Sequence, residues 1–406
     1  MSLPFAEPPP LSSATAKLGD RSLFPELQAD VYANHAAISP PSVPVREGIE
    51  HVLKLMSTKG VGGIGHLFAQ RARLKKSLAA LIGGTADEIG FVLNTSAGLT
   101  TIALCFPWQK GDRVAVFSGE FPTNVTPWQR AAELFGLEVV YLPVSDFAQP
   151  GGPDFSKLDA ALQGGLRLVA LSAVQFQTGL QMPVGEIAER CRQHDTQVCV
   201  DGIQAVGSMP FDVTELGIDY LACGGHKWMM GPEGAGFVWA RADRAAKLRP
   251  HLAGWLSHKE PVDFLFEPGK LRYDKPIRGR MDFVESGVPN ALGYGGLEAS
   301  VQLIRQVGVE AIASHTQSWH DALEPALIER GFTSLRAPDA ARRSGILSAE
   351  PPEGLTAVQV VGALGTRGVA CTTPEGLVRF APHWPNALDE VPRVIAALDK
   401  SLKSLE

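Results

Sequence analysis

The sequence lacks several features that mark large classes of proteins. Basic residues are not in excess, since 37 Lys and Arg stand against 43 Asp and Glu, giving a formal net charge of −6. That balance argues against a nucleic-acid partner, which favours a basic surface. No apolar run reaches the roughly 18 residues that span a bilayer. Residues 1–13 are rich in proline and lack the basic start and apolar centre of a secretory signal, so we expect no membrane partner.

Cysteine is scarce as well. The five cysteines are widely spaced and form no CxxC pair: Cys105, Cys191, Cys199, Cys223 and Cys371. Several lie in apolar runs, and an odd number leaves at least one of them unpaired. This usage predicts reduced, mostly buried thiols in a cytoplasmic protein.

The middle of the chain alternates short apolar runs with segments of helical spacing. We predict buried strands at residues 89–93, 113–117, 138–143, 166–174 and 197–201, and one nearer a sheet edge at 234–239. Helices are predicted between them, for example at 127–135 and 184–194. Such alternation favours an α/β domain with a largely parallel sheet.

The pattern changes after about residue 289. Long helices are predicted at 292–307 and 309–329, short strands at 345–348 and 377–380, and a last helix at 388–402. These elements predict a smaller α+β domain. We therefore divide the chain into an N-terminal arm at 1–45, a large domain at 46–290 and a small C-terminal domain at 291–406.

Two polar positions follow apolar runs in the segment 198–236. Asp201 ends the run Val198-Cys199-Val200, and Gly224-Gly225-His226-Lys227 follows another run at 220–223. Ligands of open parallel sheets bind at the carboxyl ends of strands, so both positions are placed to meet one. A partly desolvated lysine there has a lowered pKa and is a nucleophile toward an aldehyde. Taken alone, the aspartate is more typical of a helix cap or a turn, and the lysine of a solvated turn.

The combination resembles the class V aminotransferase and cysteine desulfurase family of fold-type I pyridoxal-phosphate enzymes. Four segments carry the resemblance with consistent spacing: Asp201-Gly202-Ile203-Gln204, Leu216-Gly217-Ile218-Asp219, Gly225-His226-Lys227 and Gly231-Pro232-Glu233-Gly234. It implies a large domain with a mainly parallel seven-stranded sheet, and pyridoxal 5′-phosphate held by Lys227 as a Schiff base. It further implies that Asp201 keeps the pyridine nitrogen protonated, that Gln204 contacts the ring's phenolic oxygen, and that His226 helps to hold the phosphate or orients the substrate.

Four more positions fit the family. Thr95 and Ser96, in Asn94-Thr95-Ser96-Ala97-Gly98, open a helix after a strand and form a phosphate cradle. Phe121 lies where relatives stack a ring on the pyridine. Residues 285–290 resemble a segment that reaches the phosphate of the neighbouring subunit, and Arg379 matches the arginine that binds the substrate carboxylate. The resemblance covers roughly residues 30 to 400.

The sequence also departs from the family. Gly224 stands where relatives often have a serine, and Val288 stands where the cross-subunit segment has a threonine. Trp255, in a Gly-Trp pair like that of kynureninases, is the residue we expect to replace a lost phosphate contact, with buried packing as the alternative. The loop at 370–376 is short and lacks the cysteine motif of the desulfurases, and Cys371 has no basic neighbour that would lower its pKa.

The resemblance implies an enzyme whose small-molecule substrate is an amino acid. Lys227, once released, takes the Cα proton, while Gln175 at another strand end supports cofactor or substrate. Transamination and β-elimination by a carbon–sulfur lyase are the two main outcomes. Epimerisation and desulfuration through Cys371 are alternatives, the latter disfavoured by the short loop. The family also implies a homodimer with sites at the interface. No metal is expected.

Two other functions compete with this interpretation. Gly60-Val61-Gly62-Gly63-Ile64-Gly65 fits the dinucleotide fingerprint GxGxxG and would suit an oxidoreductase. However, it follows a predicted helix at 45–57 and precedes another at 69–81, whereas the fingerprint requires a preceding strand. A catalytically silent binding module is the other possibility, and the presence of Asp201, Lys227 and Arg379 argues against it.

Overall fold

The computed structural model describes residues 14–149 and 151–405, so the proline-rich start predicted at 1–13 lies outside the described residues. The strands are β1 Val31–Tyr32, β2 Ile89–Val92, β3 Arg113–Ser118, β4 Glu138–Pro143, β5 Leu168–Ser172, β6 Gln197–Asp201, β7 Tyr220–Gly224, β8 Gly236–Ala240, β9 Thr333–Ser334, β10 Leu347–Glu350, β11 Val369–Ala370 and β12 Val378–Phe380. The helices are α1 Val43–Lys59, α2 Ile64–Ile82, α3 Thr95–Cys105, α4 Thr126–Phe135, α5 Ser156–Gln163, α6 Val184–Gln193, α7 Ala242–Ala245, α8 Ala291–Val307, α9 Val309–Glu329, α10 Ala357–Gly365 and α11 Glu390–Leu405.

A seven-stranded sheet forms the centre of the molecule, with the strand order β2-β8-β7-β6-β5-β3-β4. The five strands from β7 to β4 are mutually parallel, whereas β8 is antiparallel to both of its neighbours. The predicted mainly parallel, seven-stranded α/β fold is therefore confirmed. The carboxyl ends of β3, β5, β6 and β7 meet at one edge, which is where an open parallel sheet binds its ligand.

One strand differs from its prediction. β4 was expected to be buried, but Glu138 and Tyr141 are exposed because β4 is the last strand and has a neighbour on one side only. The strand predicted near an edge, β8, is second from the edge, where β2 pairs with its outer side. An apolar run predicts a strand but does not tell which other strands will flank it.

Helices cover both faces of the sheet. Along β5, Leu168 and Ala170 pack into one apolar cluster while Val169 and Leu171 pack into another, as the two-residue period of a strand requires. Helices α3 and α4 complete the first cluster, and α2 and α8 complete the second. Because strands of this kind are buried on both faces, they appear in the sequence as continuous apolar runs.

The C-terminal part is a separate small sheet with its own apolar core. The antiparallel strands lie in the order β12-β10-β9, and α9, α10 and α11 supply side chains to that core. A parallel pair between β1 and β11 attaches the chain near residue 31 to this part. The exact division at residues 45 and 290 stays a prediction.

The glycine-rich segment Gly60–Gly63 forms a short 3₁₀ helix between α1 and α2. A helix, not a strand, precedes it, so the context of a dinucleotide-binding turn is absent there. Among residues 14–149 and 151–405, no helix combines the length and the apolar character needed to cross a membrane.

Candidate active site

A cavity of about 440 Å³ opens at the carboxyl ends of the parallel strands. Eight of the eleven predicted site residues line it: Thr95, Ser96, Phe121, Asp201, Gln204, His226, Lys227 and Arg379. They come from positions spread over almost 300 residues of sequence. The fold thus brings together most of the residues that the sequence suggested, and Gln175, Trp255 and Val288 do not line this cavity.

The backbone around Lys227 is held from outside its own loop. Ser39 donates from its backbone nitrogen to the carbonyl of His226 (2.8 Å) and from its hydroxyl to the carbonyl of Lys227 (2.6 Å). His383 donates from Nε2 to the carbonyl of Trp228 at 2.8 Å. Residues near both ends of the chain therefore fix three successive carbonyls. The lysine side chain extends from a backbone that these hydrogen bonds hold in place.

The Lys227 ammonium lies in a poorly solvated part of the cavity. Burial lowers the pKa of Lys227 to about 8, and the Asp201 carboxylate opposes that shift. Its Nζ lies 5.7 Å from the centre of the Phe121 ring. A sizeable fraction of the amine is therefore neutral near pH 7 to 8, the state in which a lysine attacks a carbonyl group.

Asp201, at the end of β6, is 3% exposed. Its Oδ1 accepts from the backbone of Ile203 at 2.9 Å, and its Oδ2 accepts from Asn124 at 3.1 Å. Burial raises the pKa of Asp201, while the Ile203 N–H, the Lys227 charge and the Asn124 amide act to lower it. A cation bound beside this carboxyl would stabilise its charged form.

Two polar residues beside Asp201 were missed as functional candidates. Glu120 accepts from the backbone and hydroxyl of Ser172 at 2.9 and 2.5 Å, and from Asn124 at 3.2 Å. Both Glu120 and Asn124 belong to the segment 120–124, in which we had singled out only Phe121. The sequence signal that could have identified Glu120 was an acidic residue shortly after a buried strand.

The N-terminus of α3 forms one end of the cavity. Asn94 caps the helix by accepting from Ala97 at 2.9 Å, and the hydroxyl of Thr95 accepts from the backbone of Gly224 at 2.9 Å. Ser96 shares a hydrogen bond with the hydroxyl of Thr123, a further lining residue that sequence reasoning missed. Free N–H groups and the positive end of the helix dipole favour an anion at such a terminus.

Gly224 stands where a serine is common in the family, and its surroundings explain the glycine. A Cβ atom here would lie 3.1 Å from Cε1 of His226 and 3.2 Å from Ile203. The imidazole therefore lies against the bare backbone, and a side chain would displace it. Burial and the neighbouring Lys227 charge lower the pKa of His226, which favours a neutral ring.

Two glutamines behave differently from one another. Gln204 lines the cavity, where its amide donates to the carbonyl of Ala36 (3.1 Å) and accepts from Nε1 of Trp228 (2.7 Å). One amide N–H is left for a ligand. The prediction that Gln175 supports cofactor or substrate directly is not matched by its position. Its Oε1 accepts from the backbones of residues 177 and 178, so it folds its own loop instead.

Arg379, in β12, is a buried cation that forms no ion pair within residues 14–149 and 151–405. It is 4% exposed, donates to the carbonyl of Phe176 at 2.6 Å, and has an Nε with no hydrogen-bond partner. Burial alone lowers the pKa of Arg379 to about 10, so it stays charged at neutral pH. Leaving a buried charge unpaired is costly, and a carboxylate in the cavity would remove that cost.

No cysteine side chain lines the cavity. Cys371 lies just before the lining residues Thr372, Thr373 and Pro374, but it is itself buried in the core of the C-terminal part. Burial raises the pKa of the Cys371 thiol to about 12. A thiol in this state is not a nucleophile near neutral pH.

Trp255 and Val288 lie together at another part of the surface. Val288 is 85% exposed, Trp255 is 46% exposed, and a Cβ on Gly254 would touch the carbonyl of Ser286 at 2.4 Å. The segment 285–290 is anchored at both ends. Glu285 binds Arg71 and Lys75, and Asn290 donates to the carbonyl of Gly234 at 2.9 Å. Its apex projects away from the core.

The arrangement fits pyridoxal 5′-phosphate. The cavity offers the partly deprotonated amine of Lys227 for the aldehyde, the buried carboxyl of Asp201 for the ring nitrogen, and a helix N-terminus at Thr95 and Ser96 for the phosphate. The unpaired Nε of Arg379 marks a place where a second anion would be stabilised.

Comparison with known proteins agrees with this geometry. The family described as aminotransferase class-V matches residues 31–378. A cysteine desulfurase of Serratia proteamaculans is 30% identical over 351 residues, covering 82% of each chain. A probable cysteine desulfurase of Pyrococcus abyssi is 28% identical over 408 residues, covering 95% of this chain and 97% of its own. An uncharacterised aminotransferase of Bacillus subtilis is 24% identical and covers 92% and 95%.

Solved structures give the same picture. A lysine-to-alanine variant of C-DES, with glycine covalently linked to its pyridoxal-phosphate cofactor, superposes with a TM-score of 0.83. It is 25% identical, and the match covers 93% of this chain and 98% of that one. A cysteine desulfurase of Thermococcus onnurineus, at 24% identity and a TM-score of 0.82, covers 92% and 95% and shares the fold.

Proposed function

The chain belongs to the class V aminotransferase family of pyridoxal-phosphate enzymes, and from that premise we propose that it is a β-eliminating carbon–sulfur lyase. Its substrate would be an amino acid that carries sulfur on Cβ. The observation that carries the proposal is the composition of the cavity, which holds Lys227, Asp201 and an unpaired Arg379 but no cysteine. The chain has the residues that activate an amino acid and lacks a protein thiol that accepts sulfur.

The proposed roles follow from the positions of the side chains. Pyridoxal phosphate, when bound, withdraws electrons from Cα and so weakens the bonds around it. Arg379 would bind the substrate carboxylate with the N–H groups that it does not donate to Phe176, and so fix the orientation of Cα. The neutral fraction of Lys227, whose pKa is lowered to about 8, would remove the Cα proton as a general base and hold it at Nζ.

The other lining residues hold the cofactor. Asp201 would bind the protonated ring nitrogen, and the remaining N–H of Gln204 would donate to the phenolic oxygen. Thr95 and Ser96 would bind the phosphate at the start of α3, Phe121 would stack on the ring, and His226 would contact either phosphate or substrate. The lowered pKa of Lys227, and the Ile203, Lys227 and Asn124 contacts that act to lower the pKa of Asp201, support this assignment.

The fate of the sulfur separates this proposal from desulfuration through a protein persulfide. Cys371 is buried, does not line the cavity and has a strongly raised pKa. The sulfur of the substrate would then leave as a small molecule. The related protein C-DES is described as a cystine C–S lyase whose product is cysteine persulfide, which is an outcome of this type.

Transamination is a second candidate function. It needs no residue beyond Lys227, which can return the proton to a different carbon, and one relative is an aminotransferase by name. The sequence alternatives of epimerisation and of a persulfide on Cys371 have no residue in the cavity that favours them.

We also propose that the protein is a homodimer whose partner completes the site. Trp255 and Val288 are exposed and lie at the surface segment 285–290, which in the family reaches the neighbouring subunit's phosphate. Exposed apolar side chains on α1 and α2, among them Leu53, Met56 and Phe68, offer further surface for a partner. The five buried, unpaired cysteines support a cytoplasmic location.

Product analysis tests the proposed reaction. Purified protein with pyridoxal phosphate is incubated with cysteine, cystine and alanine. We expect pyruvate and ammonia from a sulfur-containing amino acid, with a persulfide or sulfide as the third product. Alanine carries no leaving group and should give no pyruvate in this way. A keto acid that retains its sulfur, together with pyridoxamine phosphate, would instead establish transamination.

A further inference from the structure

A second buried carboxyl lies next to Asp201, and the proposed reaction does not use it. Glu120 follows β3 and is 9% exposed. Its Oε1 accepts two hydrogen bonds from Ser172 at the end of β5, from the backbone at 2.9 Å and from the hydroxyl at 2.5 Å. Glu120 is therefore fixed in place between two strands of the sheet.

Asn124 joins the two carboxyls. Its amide nitrogen lies 3.2 Å from Oε2 of Glu120 and 3.1 Å from Oδ2 of Asp201. An amide nitrogen carries two N–H groups, so Asn124 donates one to each carboxyl. The position of Asp201 is thus tied to that of Glu120 by a chain of two hydrogen bonds, while the backbone of Ile203 holds its other oxygen.

The two carboxyls lie close together in a buried site, so the negative charge of one makes ionisation of the other less favourable. Burial raises the pKa of Glu120 to about 7, and the charge of Asp201 adds to that rise while Ser172 and Asn124 act against it. Asp201 is the charged group that acts on Glu120, and Lys227 acts on Asp201 in turn. Near neutral pH the proton is held by Glu120 rather than by Asp201, because the Lys227 ammonium, still largely charged at a pKa of about 8, acts to lower the pKa of Asp201.

We propose that Glu120 is a positioning residue for the cofactor ring. Through Asn124 it orients the Asp201 carboxylate, and the loss of its proton strengthens the hold of Asp201 on the protonated ring nitrogen. The inference rests on the role of Asp201 that is part of the proposed function. It adds a control by pH over the electron-withdrawing power of the ring, exerted through Asn124 and Asp201.

The reduced holoenzyme provides the test. Borohydride fixes the cofactor to Lys227 through a single bond, so the absorption of the pyridine ring then reports the surroundings of its nitrogen. Spectra are recorded from about pH 5.5 to about pH 8.5, which brackets the expected titration. We expect one spectral change in the wild type, with a midpoint near pH 7.

Three variants then separate a charge effect from a merely structural one. Glu120→Gln should lose the spectral change, and Glu120→Asp should retain one at a different midpoint. Ser172→Ala keeps the carboxyl but removes a hydrogen bond that lowers its pKa, so the midpoint should move to higher pH. An unchanged midpoint in Glu120→Gln would overturn the inference, as would an unchanged midpoint in Ser172→Ala.

The Asp201→Asn variant distinguishes a failure of the inference about Glu120 from a failure of the proposed role of Asp201. If its reduced spectrum matches that of the wild type, Asp201 does not bind the ring nitrogen, and the inference falls with the proposed role. If Asp201→Asn alters the spectrum whereas Glu120→Gln does not, only the inference about Glu120 is overturned.

Discussion

Arg379 contributes a positive charge that the fold does not neutralise. Within the described residues, its guanidinium donates to the backbone of Phe176, and its Nε is buried without a partner. A hydrogen bond to a charged group contributes about 1.5–3 kcal/mol, so the guanidinium is held ready for an anion at considerable cost. A bound carboxylate would recover that energy.

We expect Arg379→Lys to lower kcat/KM by roughly 10- to 100-fold, mainly through a higher KM. Lysine keeps the charge but loses the planar pair of donors that matches a carboxylate. Steady-state kinetics with the best substrate measure the change. Arg130→Lys, on the exposed face of α4, is the matched control and should behave like the wild type. Equal kinetics for Arg379→Lys would show that Arg379 does not bind the substrate.

The raised pKa of Glu120 has a consequence for stability. Because this carboxyl binds its proton more tightly when folded, it stabilises the native state below its unfolded pKa of 4.5, and this contribution is lost as pH rises through about 7. Each pKa unit corresponds to about 1.4 kcal/mol, so the loss is on the order of 3 kcal/mol.

Urea unfolding of the wild type and Glu120→Gln at several pH values measures this effect. The free energy of unfolding of the wild type, relative to that of the variant, should fall as pH rises from about 5 to about 8. A difference that stays constant over this range would mean that Glu120 has an ordinary pKa.

The sequence predicted a site residue correctly where a short motif was enough to place that residue at a strand end. Lys227, Asp201 and the start of α3 belong to short segments at strand ends. Asn124 was missed because its meaning depends on Asp201, which lies 77 positions away. Gln175 was assigned to the site because it lies at a strand end. A glutamine at such a position can equally contact a ligand or fold its own loop, and the sequence does not distinguish the two.

Helix α3 connects the packing of the core to the phosphate end of the cavity. A Cβ on Gly98 would lie 2.8 Å from Cβ of Ala222 in β7, so the first turns of the helix lie directly against the sheet. Gly224, at the end of that strand, also donates to Thr95. The helix terminus and the loop that carries Lys227 are therefore set by the same contact.

We expect Gly98→Ala to destabilise the protein by about 1–3 kcal/mol and to weaken cofactor binding, because the added methyl pushes α3 from the sheet. Gly362→Ala is the matched control, since its Cβ in α10 would meet nothing within 4 Å, and it should be neutral or stabilising. Thermal unfolding and titration with pyridoxal phosphate measure both quantities. Equal effects of the two substitutions would refute the role of this contact.

The sequence predicted which segments form strands and helices better than it predicted which elements lie next to them. Continuous apolar runs predicted β5 and β6, since both faces of these strands are buried. The same reasoning made β4 a buried strand, although it lies at the edge of the sheet. The neighbours of a strand depend on the strand order of the whole sheet, and a single apolar run does not encode that order.

At the scale of the whole molecule, Val288 and Trp255 are exposed apolar side chains that do not line the cavity. Val288, at the apex of the segment 285–290, is 85% exposed, and Trp255 is 46% exposed. Exposed apolar side chains that lie close to one another are candidates for an interface. A dimer would explain why two residues that the family places at the phosphate are absent from the cavity of a single chain.

Sedimentation of the holoprotein tests this arrangement. We expect a particle of twice the 43.4 kDa mass of the chain. Val288→Asp should shift it toward the monomer and weaken cofactor binding, because a charge would be buried at the interface. Val358→Asp, which places the same charge on exposed α10, should leave both unchanged. A monomer with full cofactor affinity would contradict the proposal.

The attachment of the cofactor to Lys227 is the centre of this account. Protein incubated with pyridoxal phosphate is reduced with borohydride, digested and analysed by mass spectrometry. We predict that the reduced cofactor is found on Lys227, and that Lys227→Ala loses both this adduct and the visible absorption of the cofactor. A cofactor attached at another lysine, or full visible absorption in Lys227→Ala, would contradict the account.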